Sequence, residues 1–242
     1  MTTDGVVDVA VVTPVHGNED TLPELARRLA VALDGRIWRL RLVVDASPDA
    51  SLAVARALAA ADPRIVVTAF VRNVGQHRAL ARGLADEAGA RAWVCLDADL
   101  QDPPEAVPAL LDRLAEGDAG AVFAGRRGAY EGRGRMVTGR LHRAAMARLT
   151  GLPPDAGGFV AMGAAARRAV IDADGPSIVA AIGVSGVALA SVPVERDRRP
   201  SGSSSWSATA RIRQSARTLA WSRARRRRQP AAASHRWTRV SE

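Results

Sequence analysis

A chain of 242 residues, 48% hydrophobic and 4% aromatic, has enough apolar mass for one large α/β domain or two small ones. A single cysteine excludes an intrachain disulfide, and the N-terminal sequence MTTDGVVDVAVV lacks the basic region and cleavage site of a secretory signal. The formal charge is +9 and every basic residue is arginine. Residues 1–120 are near balance or slightly acidic, whereas the end from Arg196 is strongly basic. That asymmetry fits either a solvated tail or one that meets an anionic partner, a membrane surface or a nucleic acid.

In chain order, Val6–Val15 is a β-branched run holding a proline near its end, which predicts a buried strand. Leucines at 22, 25, 29 and 33 then recur at helical spacing. Trp38–Asp45 predicts a second strand, running into a Ser-Pro-Asp turn. A helix over 51–62, a third strand over 64–71, the turn Asn73-Val74-Gly75 and a helix ending at Gly89 follow. Residues 92–96 predict a fourth strand, in which Cys95 reads as a small buried hydrophobe suited to a reducing, cytoplasmic setting. A helix over 103–117 and a fifth strand over 119–127 complete the regular alternation. Beyond it, 134–151 reads as a basic amphipathic helix, 157–173 as a turn then a helix, and 186–202 as a strand running into a polar loop. The apolar stretch Ile178–Val194 is too short and too weak for a membrane span. Residues 205–228 predict an arginine-rich helix carrying Trp206, Ile212, Leu219 and Trp221, and the chain after Gln229 is expected to be disordered.

Unbroken strand–helix alternation to residue 127 implies a doubly wound, mostly parallel sheet, whose ligands bind beyond the carboxyl ends of the strands. Pro14, Asp45, Asn73 and the cluster Asp97, Asp99, Gln101 and Asp102 all fall there. In that cluster, WVCLDADLQDPPEAV, like charges repel and their desolvation is costly unless a positive charge is shared. The turn is therefore either solvated or holds a cation. Two carboxylates and an amide carbonyl are hard oxygen donors suited to Mg²⁺ or Mn²⁺ bridging phosphate oxygens. Asp102, ahead of Pro103 and Pro104, is the expected helix N-cap.

The stretch LDADLQDPPE resembles the signature of family 2 glycosyltransferases, in the branch of dolichyl-phosphate mannosyltransferases and polyprenyl-phosphate glycosyltransferases. Four further segments are similar to that family's motifs in the same order: VVTPVHGNEDTLPEL, VVDASPDAS, RNVGQHRALARGLADEAGA and RRPSGSSSWS. The resemblance covers roughly Val9 to Ser207. It implies a GT-A fold over 1–207, with a nucleotide-binding half (1–127) and an acceptor half (128–207), extended by the basic helix 208–228 and the tail 229–242. It also implies a UDP- or GDP-linked sugar donor and transfer with inversion. By motif matching, Pro14, Val15 and Glu19 would border base and ribose, and Asp45 would contact the base. Asp97 would lie near the donor, with Asp99 and Gln101 on the metal and diphosphate. Arg126 and Arg127 would face donor and acceptor phosphates, and Arg199 and Ser204 would belong to the distal phosphate-contacting loop.

Four departures from the family pattern stand out. Val44 replaces the first Asp of the DDGS-like motif. Gly158 and Val160 replace the acid and arginine of a GDFRL-like segment, and Ser205 replaces the lysine of the distal motif. No stretch reads as the C-terminal membrane helices of many polyprenyl-phosphate enzymes. A phosphate monoester, already charged at neutral pH, needs no strong base, so Gly158 is compatible with a polyprenyl phosphate acceptor. A hydroxyl of a soluble small molecule would need one, and Asp155 is the nearest candidate. A degenerate inactive member, and a nucleic-acid binder acting through the arginine tail, remain as alternatives, although the ordered motifs argue against specific nucleic-acid recognition. The expected setting is cytoplasmic, peripheral to an anionic inner membrane face if the basic helix lies on it.

Overall fold

β-Branched runs set the frame of the molecule. β1 (Val7–Val15), β2 (Trp38–Asp45), β3 (Ile65–Phe70) and β4 (Ala90–Cys95) lie parallel in the order β3-β2-β1-β4, with Val9 opposite Trp38 and Val12 opposite Cys95. β1 is central and covered on both faces, so its valines point both ways into core, as a parallel strand requires. The computed structural model describes residues 7–127, 147–197, 208–228 and 238–239. Among these, the strands form one eight-stranded sheet that continues through β6 (Val160–Met162), β5 (Ala121–Arg127), β7 (Leu189–Glu195) and β8 (Thr238–Arg239). Only β6 runs antiparallel to its neighbours.

Helices cover both faces. α1 (Leu22–Ala32), α2 (Ser51–Ala61) and α4 (Val107–Ala115) pack on one, through Leu22, Leu25, Leu29, Ala55, Val107 and Leu110. α3 (Gln76–Asp86), α5 (Ala164–Asp172) and α6 (Ile178–Gly183) pack on the other, through Leu80, Leu84, Ala166, Val170, Ile178 and Ile182. This is the expected doubly wound α/β architecture.

Two expectations are corrected, for residues 157–173 and for the tail. Residues 157–173 hold a strand, β6, before their helix. The three-residue run Val160–Met162 is too short to show a period, but all three side chains are buried between β4 and β5. The apolar stretch 178–194 divides into α6, a turn and most of β7, and no helix among the described residues is long and apolar enough to cross a membrane. Two residues of the expected disordered tail, Thr238 and Arg239, pair with Ala190 and Ser191. Of the basic helix expected over 134–151, only 147–151 lie within the described residues, and 147–150 are helical.

The arginine-rich helix α7 (Ala208–Arg228) is docked on the domain. Leu219 and Trp221 pack against the second core face, and Gln214 Nε2 donates to the Pro176 carbonyl at 2.6 Å. A side chain at Gly175 would come within 2.8 Å of the Trp221 ring, so that contact requires glycine.

Gly83 plays the same part beneath the sheet. A Cβ there would lie 2.5 Å from Val12 Cγ1 and 2.7 Å from Val43 Cγ2, so α3 can approach β1 and β2 this closely only with no side chain at 83. Gly83→Ala is expected to lower stability by about 1–3 kcal/mol despite the better helix propensity of alanine, measured by urea unfolding.

Candidate active site

At the carboxyl rim of the sheet, the loops after β1, β2, β3 and β4 are laced into a closed ring of hydrogen bonds. Thr21 Oγ1 donates to the Ala98 carbonyl at 2.6 Å, tying the start of α1 to the loop after β4. The loop after β1 is bound to the turn after β2 by Gly17 N–H to Ser47 Oγ, Asn18 N–H to Ser51 Oγ, and Ala50 N–H to Glu19 Oε2 at 2.6 Å. Asp49 adds Glu19 N–H, Ser51 N–H and the Ser47 hydroxyl. Burial alone would raise the Asp49 pKa, but the Ser47 and Ser51 donors and the two amides outweigh it and hold the carboxyl down at about 2. Asp45 then joins β2 to the turn after β3, and Gln76 Nε2 closes the ring by donating to Asp97 Oδ1 at 2.7 Å.

The residues singled out in the sequence fall on this ring in different ways. Asp97 and Asp99 stand half-buried at the end of β4, with Ala98 and Leu100 turned into core between them. Asp99 Oδ1 accepts the Gln101 N–H at 3.1 Å, and Leu100 takes a left-handed φ of 58° to complete the turn. Pro14 is half-buried and Val15 fully buried at the end of β1. Glu19 is a loop tie. Asp45 is 3% exposed, and its two oxygens accept the Val74 and Gly75 amides at 2.6 and 2.8 Å. Arg126 and Arg127 end β5, opposite Val194 and Glu195. Their side chains, together with Arg199 and Ser204, lie outside the described residues.

Asp102 corrects the sequence reading. The first helical turn after it begins at Pro104, and no side chain caps it. Instead the Asp102 carboxylate, 2% exposed, takes two bonds from Arg196, Nε at 2.5 Å and Nη2 at 3.1 Å. The charges of Asp102, and then of Asp99 and Asp97, raise the Arg196 pKa against the opposing effect of burial. A cation contributed by the end of β7 thus stands behind the acidic loop. Asp197 N–H donates to the Gln101 carbonyl at 2.9 Å, and Arg28 bridges Glu105 and Asp197, so β7 holds this loop from two directions. Nothing in VERDRR marks which arginine turns inward.

The departures from the family pattern also find their places. Val44 is buried in the core under α1, where a carboxylate would be unpaired. Val160 is fully buried in β6. Gly158 lies beside Asp97: a Cβ there would stand 4.0 Å from both Asp97 oxygens. Continuing the β4–β6–β5 register brings Asp97, Gly158 and Gly125 into line across the rim. Asp155 lies over Gly125, with Oδ1 accepting the Ser191 hydroxyl at 3.2 Å. Asp97 and Asp155 therefore sit about two strand spacings apart, ~10 Å, with the bare Gly158 between them.

Among the described residues, no three His, Cys, Asp or Glu side chains gather to hold a metal by themselves. Two half-buried carboxylates on one turn nonetheless fit a hard divalent ion that takes its remaining ligands from water and a diphosphate.

His77, on the first turn of α3, lies against the start of α6. Its Nδ1 accepts the Ile178 N–H at 3.5 Å, and burial pushes its pKa down to about 4, so the ring is neutral. It stands between two cavities of about 160 and 180 Å³. Cys95 is fully buried, and burial pushes its thiol up, which leaves it unreactive.

Two outcomes follow for stability. Asp102→Ala leaves the buried Arg196 without its carboxylate and should lower stability by about 3–5 kcal/mol, whereas Arg196→Met with Asp102→Leu should lie close to wild type; urea unfolding of the single and double variants checks this. For His77, the unfolded chain takes up a proton near 6.5 and the folded chain only near 4. Its contribution is therefore fully present above pH 6.5 and is lost as pH falls towards 4, by about 3 kcal/mol. His77→Gln should flatten that part of the stability–pH curve.

A family model described as "Glycosyl transferase family 2" matches residues 10–174. Undecaprenyl-phosphate 4-deoxy-4-formamido-L-arabinose transferases of Salmonella paratyphi B and Salmonella newport are 39% identical over 112 residues, 45% of this chain and 34% of theirs. The chain thus matches about a third of the length of these relatives. Glucosyl-3-phosphoglycerate synthase of Mycobacterium tuberculosis, solved with Mn²⁺, UDP and glucosyl-3-phosphoglycerate, superposes with a TM-score of 0.65 at 21% identity, over 90% of this chain and 80% of that one. The mannosyltransferase PcManGT of Pyrobaculum calidifontis, solved with GDP-Man and Mn²⁺, gives 0.64 at 19% identity, over 94% and 66%. With four of the five family motifs on one rim and the family match across residues 10–174, the chain belongs to glycosyl transferase family 2 and has the GT-A fold.

Proposed function

We propose that this chain transfers a sugar, with inversion, from a UDP- or GDP-linked donor to a polyprenyl phosphate. The observation that carries the reading is the pair Asp97 and Asp99, held by the hydrogen-bonded ring beside the switch point between β1 and β4. The curated relatives are named for undecaprenyl phosphate, which supports the acceptor class. The solved neighbours carry Mn²⁺ with UDP or GDP-Man, which supports the donor class.

In this reading, the loops after β1 and β2 seat the nucleoside, with Pro14 and Glu19 forming the wall and the fully buried Val15 supporting it from the core. Asp45 acts through the 73–75 turn, because both its oxygens already hold amides there. Asp99, with Gln101, would hold Mg²⁺ or Mn²⁺, whose role is to neutralise the departing diphosphate. Asp97 orients the sugar, its own carboxylate fixed by Gln76. Arg126, Arg127, Arg199 and Ser204 would receive the charges of diphosphate and acceptor phosphate. Gly158 leaves no base at that position, and a phosphate acceptor, already charged at neutral pH, does not need one.

A second reading, transfer to a hydroxyl of a soluble small molecule, is favoured by one feature: Asp155 stands on the same rim and could take the acceptor proton.

The test is product formation from UDP- and GDP-sugars with detergent-solubilised undecaprenyl phosphate or a panel of hydroxyl acceptors. The proposal predicts product on the lipid phosphate, with Asp155→Asn costing less than about tenfold. Product on hydroxyl acceptors alone, with Asp155→Asn costing about 100-fold or more, would establish the second reading instead.

A further inference from the structure

Docking divides α7 into two faces of different chemistry. Gln214, Thr218, Trp221 and Ser222 turn inward: Gln214 onto Pro176, Trp221 onto Gly175, and Thr218 and Ser222 are buried. At 3.6 residues per turn, Arg213, Ala216, Arg217, Ala220, Arg223, Ala224 and Arg227 share the remaining arc of roughly 120°. All seven are exposed, and α7 contains no acidic residue. The outer face is therefore four arginines set among alanines, along about 21 Å of helix.

The same helix walls the cavity of about 180 Å³ that it shares with Leu152, Pro153 and Ala156, next to Asp155. The basic face thus flanks the acceptor side of the rim. Short alanines between the arginines let the helix lie close to a flat surface while the guanidinium groups reach phosphates on either side. Trp221, which could stack on a nucleic-acid base, is turned inward and stacks under Arg225 at 5.9 Å.

We infer that the outer face of α7 docks the enzyme on an anionic lipid bilayer, bringing the rim to a lipid-borne acceptor. This rests on the polyprenyl phosphate reading of the acceptor. The attraction is electrostatic, with Trp221 withheld from the lipid, so it should be reversible and sensitive to salt.

The experiment is co-sedimentation of the full chain with phosphatidylcholine vesicles, with and without phosphatidylglycerol. Binding is expected only with phosphatidylglycerol, and should weaken as salt rises. The variant Arg213→Gln/Arg217→Gln/Arg223→Gln/Arg227→Gln should lose at least about tenfold in affinity. A second variant, Ala216→Glu/Ala220→Glu, keeps every arginine and should lose binding as well. Thermal unfolding with and without UDP or GDP, in the presence of Mn²⁺, reports the fold and the donor site separately from the membrane face. No vesicle binding, or binding that both variants retain, overturns the inference even where the nucleotide response is intact. Binding of duplex or single-stranded DNA with no vesicle binding overturns it in favour of a nucleic-acid partner. No response to either UDP or GDP with Mn²⁺, alongside intact vesicle binding, would instead count against the donor reading alone.

Discussion

Parallel strands that end together leave a rim of backbone amides and carbonyls, and each needs a partner. In this protein the partners come from side chains of the neighbouring loop. Asp45 holds the Val74 and Gly75 amides, Glu19 holds Ala50, Ser51 holds Asn18, Thr21 holds Ala98, and Gln76 holds Asp97. Because the ring closes, no loop can move without breaking a bond to the next. Buried polar groups that lose their partners cost about 1–3 kcal/mol each. The acidic pair at the end of β4 is therefore presented in one arrangement before any ligand arrives, which is the preorganisation that electrostatic catalysis requires.

Behind that ring stands a buried charge pair. Arg196 and Asp102 come from β7 and the loop after β4, 94 residues apart in sequence. Their pairing lets a third aspartate sit in the cluster without adding free negative charge to the site. It also ties the acidic loop to the segment that leads towards Arg199 and Ser204.

Much of this was legible in sequence, and the limits are instructive. Val7–Val15, the leucine spacing of α1 and the strand–helix rhythm fixed the architecture, because a buried parallel sheet demands continuous β-branched runs. Asp97-Ala98-Asp99 stood out in the sequence because two carboxylates on one turn at a strand end repel each other unless a positive charge is shared. Roles were harder to read than places. Asp45 occupies a recognition motif but spends both oxygens on backbone amides, and Asp102 looked like a helix cap until Arg196 claimed it. Both outcomes depend on partners remote in sequence. β6 escaped notice because three residues between glycine-rich segments show no period, although its place between β4 and β5 is what puts Gly158 against Asp97.

In the proposed reading, the rim binds a nucleotide through a divalent ion held at Asp99. Thermal unfolding with UDP and GDP, with and without Mn²⁺, tests it most directly, since a ligand that binds only the folded state raises Tm by mass action. Tm should rise with one of the two nucleotides, only in the presence of Mn²⁺, and the rise should disappear in Asp99→Ala. No rise with either nucleotide, or a rise that Asp99→Ala leaves unchanged, would contradict that reading.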